Sequence, residues 1–261
     1  MKRAKEVSNM QTITFIGNGN MALSIARGLK GKYNIEVVGR ELKKLDRFES
    51  DLETQIDKYV LKDFDITDKT VLLCVKPANV EEVGKLLKGK ARVLFSVLAG
   101  TSLEKLKKHI KTKAVVRAMP NLAASVGASI TTLTGDHRFQ QEAQSLLGAV
   151  GDTLWLNSEK EIDIATALAG SGPAYLALVA EALADGAVKQ GLKREDAMAV
   201  MRGLFNGFGR LIQEVHPALL KDGVMSPGGT TAAGYSALEG GNVRAACIDA
   251  VEAAYNKAKE L

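Results

Sequence analysis

The chain has 261 residues, 46% of them hydrophobic and 25% charged, a composition that excludes a fibrous or low-complexity protein and suits one large domain or two modest ones. Its formal charge of +5, with only 5% aromatic residues, comes without the basic-aromatic interleaving of a nucleic-acid binder. The basic start is not followed by an apolar signal segment, and no uninterrupted apolar run reaches about 18 residues, so no membrane partner is expected.

In chain order, residues 1–10 read as a disordered basic extension. Thr12–Ile16 (TITFI) is a short β-rich run that breaks at Gly17 and leads into an apolar-periodic helix over Met21–Leu29. A second strand, Ile35–Val38, precedes a charged helix over Glu41–Leu52, and the stretch through Asp68 is a connection. Val71–Val75 (VLLCV) and Val93–Val97 (VLFSV) are continuous apolar runs, the pattern of strands buried on both faces. Val115–Ala118, Ile130–Leu133 and Thr153–Leu156 read as further strands, with helices at Val80–Leu87, Leu103–Ile110 and Phe139–Gly148 between them. Strands alternating with helices imply βαβ units and an open, doubly wound parallel sheet. Beyond about residue 160 no strand pattern survives. Ala- and Leu-rich helices are expected over 163–190, 194–215, 231–238 and 243–259. The expected organisation is therefore α/β: a Rossmann-type dinucleotide-binding domain over 11–160, then an all-α domain over 161–261 whose apolar helices call for a homodimer.

Cys74 and Cys247 each lie in apolar sequence, and buried reduced thiols in a cytoplasmic protein are the expectation. Neither they nor His109, His137 and His216 have metal-ligand spacing, so no metal is expected.

Residues 17–22 read G-N-G-N-M-A between the first strand and the first helix. Gly17 permits the tight turn, Gly19 lets the backbone approach a pyrophosphate, and the small Ala22 lets helix pack on strand. The phosphates would then lie at the start of that helix, whose free N–H groups and dipole favour an anion. Such a motif is weak alone; its place after the first strand of a βαβ unit strengthens it. At the end of the second strand stand Gly39 and Arg40, with Lys43 and Lys44 following. A guanidinium there suits a 2′-phosphate, whereas an acid would suit a ribose hydroxyl, so NADP(H) is favoured and NAD(H) stays open. Val75-Lys76-Pro77 and Met119-Pro120-Asn121 follow strands at the carboxyl edge, where open sheets bind ligands. Both loops are candidates to line the nicotinamide pocket, with backbone carbonyls or Asn121 touching the ring or its carboxamide.

Residues 226–231, S-P-G-G-T-T, precede a helix. Ser226 and Thr231 offer hydroxyls, Gly228 and Gly229 free the backbone, and the helix adds its positive end: an anion site without arginine. A plain cap, with Thr231 as the capping residue, is the bland alternative.

With these motifs, the chain resembles pyrroline-5-carboxylate reductase. The resemblance rests on GNGNMA at 17–22, VKP at 75–77, MPN at 119–121, GSGPAY at 170–175 and LKDGVMSPGGTTAAGYSALE at 220–239, in the family's order over nearly the whole chain. It implies NADPH-dependent reduction of pyrroline-5-carboxylate to proline, with a small imino acid as partner. It also implies helical domains paired in dimers, or in higher oligomers built from them. By residue, it implies that Ser226, Gly229, Thr230 (through its backbone) and Thr231 hold the substrate carboxylate. Glu214 would lie near the ring nitrogen, and Gly17, Gly19, Asn20, Met21 and Ala22 would bind the cofactor. As a mechanism, Thr231 would also donate toward the ring nitrogen, directly or by water. Relatives vary at the positions of Gly39 and Arg40, and many use either cofactor. A β-hydroxyacid dehydrogenase shares the two-domain plan, but it needs a lysine base about one turn after GSGP, and Lys189 lies at the far end of that helix.

Overall fold

The computed structural model describes residues 10–259; the extension expected over 1–10, Met10 apart, lies outside the described residues. The chain divides into two compact units, one running through Gly170 and joined by the residues from Tyr255 onward, the other Ser171–Ala254.

The first unit is built on strands β1 (Thr12–Ile16), β2 (Asn34–Gly39), β3 (Asp57–Val60), β5 (Thr70–Leu73), β7 (Val93–Ser96), β8 (Val115–Met119), β9 (Ser129–Gly135) and β10 (Gly151–Trp155), in the spatial order 10-9-8-7-5-1-2-3. A two-stranded ribbon, β4 (Phe64–Asp65) with β6 (Leu87–Lys88), stands apart. The strands from β3 to β8 are parallel, as the alternation of strands and helices requires. β9 runs antiparallel to β8, and β10 follows it; the link from β8 to β9 is too short for a helical crossover, which forces the reversal.

Side chains alternate across this sheet. Ile13, Phe15, Val37, Leu72, Phe95 and Val116 face one core with helices α1 (Asn20–Leu29), α2 (Leu42–Leu52) and α5 (Gln140–Leu147). Ile16, Val38, Val71, Leu73 and Leu94 face the other with α3 (Val80–Leu86) and α4 (Leu103–His109). Covering both faces is what makes the strand sequences continuously apolar. Each such side chain contributes roughly 1.5–3 kcal/mol on burial, so this unit has a core of its own. α6 (Glu159–Ala165) closes it, passing into a π-helical turn, Thr166–Gly170.

The second unit consists of α7 (Gly172–Lys189), α8 (Arg194–Glu214), α9 (Pro217–Val224), α10 (Thr230–Gly240) and most of α11 (Val243–Ala258). It is all-helical as expected, with α9 as an addition. Among its described residues only Ala184 and Ala197 are buried, while Leu178, Val200, Leu204, Leu219 and Ile248 are each more than half exposed. Helices with that composition and no buried large side chain lack the core to hold together alone. Cys247 lies exposed on α11, against the expectation that both thiols are buried; none of the described residues of that helix is buried.

Candidate active site

The sheet reverses its winding between β1 and β5, and the crevice at their carboxyl ends is where open α/β sheets bind ligands. Gly17 follows β1 with φ +107°, a region that excludes most side chains. Its N–H donates to the Val38 carbonyl at 2.9 Å, and the Cys74 N–H donates to the Ile16 carbonyl at 2.8 Å. A β-carbon on Gly17 would stand 2.7 Å from the Cys74 carbonyl oxygen. Only glycine fits that seam.

Gly19 caps α1, and a β-carbon there would meet nothing within 4 Å. The first helical bond is Leu23 N–H to the Gly19 carbonyl at 3.0 Å, so the N–H groups of Asn20, Met21 and Ala22 precede the ladder and face the anion-favouring end of the helix. Ala22 is fully buried, as a residue packing helix on strand should be. A cleft of about 400 Å³ opens here, lined by the turn, Arg40, Val75 and Lys76. The open turn, the free N–H groups and this volume fit a dinucleotide.

Charge at the lip follows the same logic. Arg40 is exposed beyond β2, and among the described residues it has no hydrogen bond or ion pair. Lys44 is paired with Glu41 at 2.6 Å. The carboxylate inside β2, Glu36, is buried; it accepts from Thr14 Oγ1 at 2.7 Å and from Lys69 Nζ at 3.1 Å. No acid of β2 is left for a ribose. Asn18, which the motif reading passed over, donates from Nδ2 to the Lys44 carbonyl at 3.3 Å and ties the turn to α2. Burial pushes the Cys74 thiol far up, so it is a wall of the cleft and not a nucleophile.

The two carboxyl-edge loops fare differently. Val75 and Lys76 line the cleft, with Pro77 opening the short turn beyond. Met119, Pro120 and Asn121 do not line it. The Asn121 amide is spent on the protein: Oδ1 accepts from Ala123 N–H at 3.2 Å and Nδ2 donates to the Ala169 carbonyl at 3.1 Å. Nearby, Arg117 of β8 is buried and pairs with Glu159 at 2.9 Å and Asp163 at 2.8 Å. That cluster fastens α6 to the sheet; its partners lie more than forty residues away in sequence, beyond the reach of any local pattern.

In the helical unit, the Gly229 N–H donates to the Ser226 carbonyl at 3.0 Å, closing a turn in which Gly228 has φ +70°. Gly229, not Thr231, caps α10, without a side-chain bond. The Ser226 hydroxyl lies where a Gly229 side chain would go. The ladder starts with Ala233 N–H to the Gly229 carbonyl at 3.2 Å, leaving the N–H groups of Thr230 and Thr231 ahead of it. Ser226, Thr230 and Thr231 are exposed, and among the described residues none of their hydroxyls has a partner. The loop thus offers several donors and the positive end of a helix, the chemistry of a small-anion cradle.

Glu214 is the last residue of α8, exposed and likewise unpaired among the described residues. A carboxylate at the negative end of a helix is locally unfavourable by about 0.3–1 kcal/mol, so local stability does not explain it. α10 is fixed from its far end: Tyr235 OH donates to Glu239 at 2.7 Å, and Arg244 of α11 bonds both. The Arg244 guanidinium, then the Tyr235 hydroxyl, hold the Glu239 carboxyl below the usual range.

Residues 159–261 match the family model for pyrroline-5-carboxylate reductase dimerisation, and residues 12–100 match the model for NADP oxidoreductase, coenzyme F420-dependent. The pyrroline-5-carboxylate reductase of Arabidopsis thaliana is 37% identical, over 95% of each chain. The solved pyrroline-5-carboxylate reductase of Coxiella burnetii is 36% identical with a TM-score of 0.83, covering 97% of this chain and 98% of that one. The Plasmodium falciparum pyrroline carboxylate reductase, solved with NADP bound, is 26% identical with a TM-score of 0.78, over 95% and 98%. On sequence and fold together, this chain belongs to the pyrroline-5-carboxylate reductase family.

Proposed function

We propose that the protein reduces the C=N bond of 1-pyrroline-5-carboxylate to give L-proline, with NADPH as reductant. The observation that carries this is the unpaired donor set at Ser226, Thr230 and Thr231 in a chain of this family that also has a dinucleotide crevice. When bound, NADP(H) supplies the hydride; Gly17, Gly19, Asn20, Met21 and Ala22 would hold its diphosphate and Arg40 its 2′-phosphate.

The chain's own residues bind and orient. The substrate carboxylate is held by the Ser226 and Thr231 hydroxyls and by the N–H groups of Thr230 and Thr231, in a turn that Gly229 closes by giving its own N–H to the Ser226 carbonyl. The ring nitrogen, protonated, makes the adjacent carbon electrophilic without a strong general acid, so positioning is the main work. The Thr231 hydroxyl oxygen accepts from the protonated ring N–H while its own hydrogen goes to the carboxylate, and Glu214 stabilises the positive charge or orients a water there. Val75 and Lys76, with Pro77 just beyond them, wall the reacting face.

The apolar helical face is covered by a second copy of the chain. Glu159–Lys189 is long and apolar enough to cross a membrane by length and composition alone, yet its first turns hold the buried Arg117, and the dimerisation match covers the same stretch. The two free cysteines suit a reducing cytoplasm.

A hydroxyacid dehydrogenase is disfavoured because α7 has no lysine before Lys189. The purified protein should consume NADPH with pyrroline-5-carboxylate and leave NADP⁺ unreduced with hydroxy acids. Turnover of hydroxy acids, or of neither class, overturns the proposal.

A further inference from the structure

α9 and α10 stand on either side of the 226–231 segment in sequence, and all of these residues belong to the helical unit. The link over 225–229 is sparsely bonded. Met225 N–H donates to the Lys221 carbonyl at 3.3 Å, and Gly229 N–H donates to the Ser226 carbonyl at 3.0 Å. Among the described residues, no side chain of the link makes a hydrogen bond or an ion pair. Such a link takes its shape from how its two ends are held.

A side-chain contact joins those ends. Lys221, in the last turn of α9, sets its ammonium over the ring of Tyr235 in α10, 5.6 Å from the centroid. That is within reach of a cation–π attraction. The Asp222 carboxylate, at 2.7 Å, raises the Lys221 pKa and keeps it charged. The ring is steadied in turn by its hydroxyl, which donates to Glu239 at 2.7 Å and accepts from Arg244 of α11 at 2.6 Å. Lys221 and Tyr235 are both half-buried.

We propose that Lys221 and Tyr235 are positioning residues for substrate binding: their stacked pair clasps α9 to α10 and so holds the Ser226 hydroxyl in register with the free N–H groups of Thr230 and Thr231. This rests on the reading above, in which those groups grip the substrate carboxylate. A cradle already held in its bound shape loses less freedom when the ligand arrives, and the saving appears as affinity. The Lys221 charge is taken up by Asp222 and the ring, so the lysine acts through the backbone and not on the substrate.

The test is kinetics and hydrogen exchange on the full-length protein. Lys221→Gln removes the cation, and Tyr235→Leu removes the ring. Each should raise KM for pyrroline-5-carboxylate by roughly three- to fivefold, the scale of a partly exposed cation–π pair, with kcat and KM for NADPH little changed. Lys221→Arg keeps a cation that can lie on the ring, and its KM should stay within about twofold of wild type. The double variant, Lys221→Gln with Tyr235→Leu, should be no worse than the poorer single one, since both remove one contact. Exchange over 225–233 should rise by about twofold or more in Lys221→Gln and in Tyr235→Leu.

Any one of four results overturns the proposal: an unchanged KM in Lys221→Gln or Tyr235→Leu, no rescue by Lys221→Arg, effects that multiply in the double variant, or unchanged exchange over 225–233. A KM raised by Lys221→Gln alone would mean that the lysine acts on the substrate directly. Should Tyr235→Leu fail to fold, Lys221→Gln against Lys221→Arg decides, by KM and exchange together. If the wild type does not reduce pyrroline-5-carboxylate, the functional reading falls and takes this role with it. The exchange comparison tells that failure apart from a failure of the clasp.

Discussion

Gly17 and Cys74 meet backbone to backbone, with room for 2.7 Å between the Cys74 carbonyl oxygen and any β-carbon placed on Gly17. The two residues end adjacent parallel strands at the point where the sheet reverses its winding. The seam therefore sets the floor of the nucleotide crevice.

Gly17→Ala places a side chain both in that clash and at φ +107°. Positive φ alone costs an alanine about 1–2 kcal/mol, and the carbonyl must also shift. NADPH affinity, read by fluorescence titration, should weaken by roughly tenfold or more. An unchanged Kd would contradict the crevice assignment.

Arg40 stands free at the lip of the crevice. A charge-assisted bond to a 2′-phosphate is worth about 1.5–3 kcal/mol, so Arg40→Ala should lower kcat/KM for NADPH by about tenfold or more. NADH, without that phosphate, should be little affected, and the NADPH/NADH ratio is the quantity to measure. Equal losses with both cofactors would remove Arg40 from cofactor choice.

Glu239 ties α10, the helix that follows the 226–231 loop, to α11 through Arg244, and accepts from Tyr235 of its own helix. Its carboxyl is held down chiefly by Arg244, so its stabilising contribution is full above the ordinary carboxylate pKa and lost as pH falls through the lowered folded value. Glu239→Gln should lower the melting temperature at neutral pH, and the gap to wild type should close on acidification past about pH 4. A gap independent of pH would show that the charge is not what matters.

Leu204 and Phe208, one turn apart on α8, are 55% and 42% exposed. If a second copy covers them, Leu204→Glu with Phe208→Glu should give a monomer in sedimentation experiments, with loss of activity. A dimer that survives both charges would place the interface elsewhere.

Much of this was legible in the sequence because the physics is local. The apolar runs at 71–75 and 93–97 give buried parallel strands, and glycines at fixed offsets give the phosphate turn. β3 was missed because its Asp57-Lys58-Tyr59-Val60 lies at the sheet edge and is mostly exposed, leaving no apolar run to read. α9 escaped notice although its signals were present: His216 as cap, accepting from Ala218 N–H, and Pro217 at the first position. The direction of β9 is not written in its side chains, since a run such as Ile130-Thr131-Thr132-Leu133 reads as strand alike either way. Asn121 was read as a cofactor contact from its loop, whereas its amide is committed to Ala169, forty-eight residues away. That partnership needed the fold to be seen.

Steady-state kinetics of Thr231→Ala go to the heart of the account. If the cradle at the start of α10 grips the imino acid, KM for pyrroline-5-carboxylate should rise, or kcat/KM fall, by about tenfold or more while KM for NADPH stays put. A variant indistinguishable from wild type in both constants would mean that the carboxylate is held elsewhere.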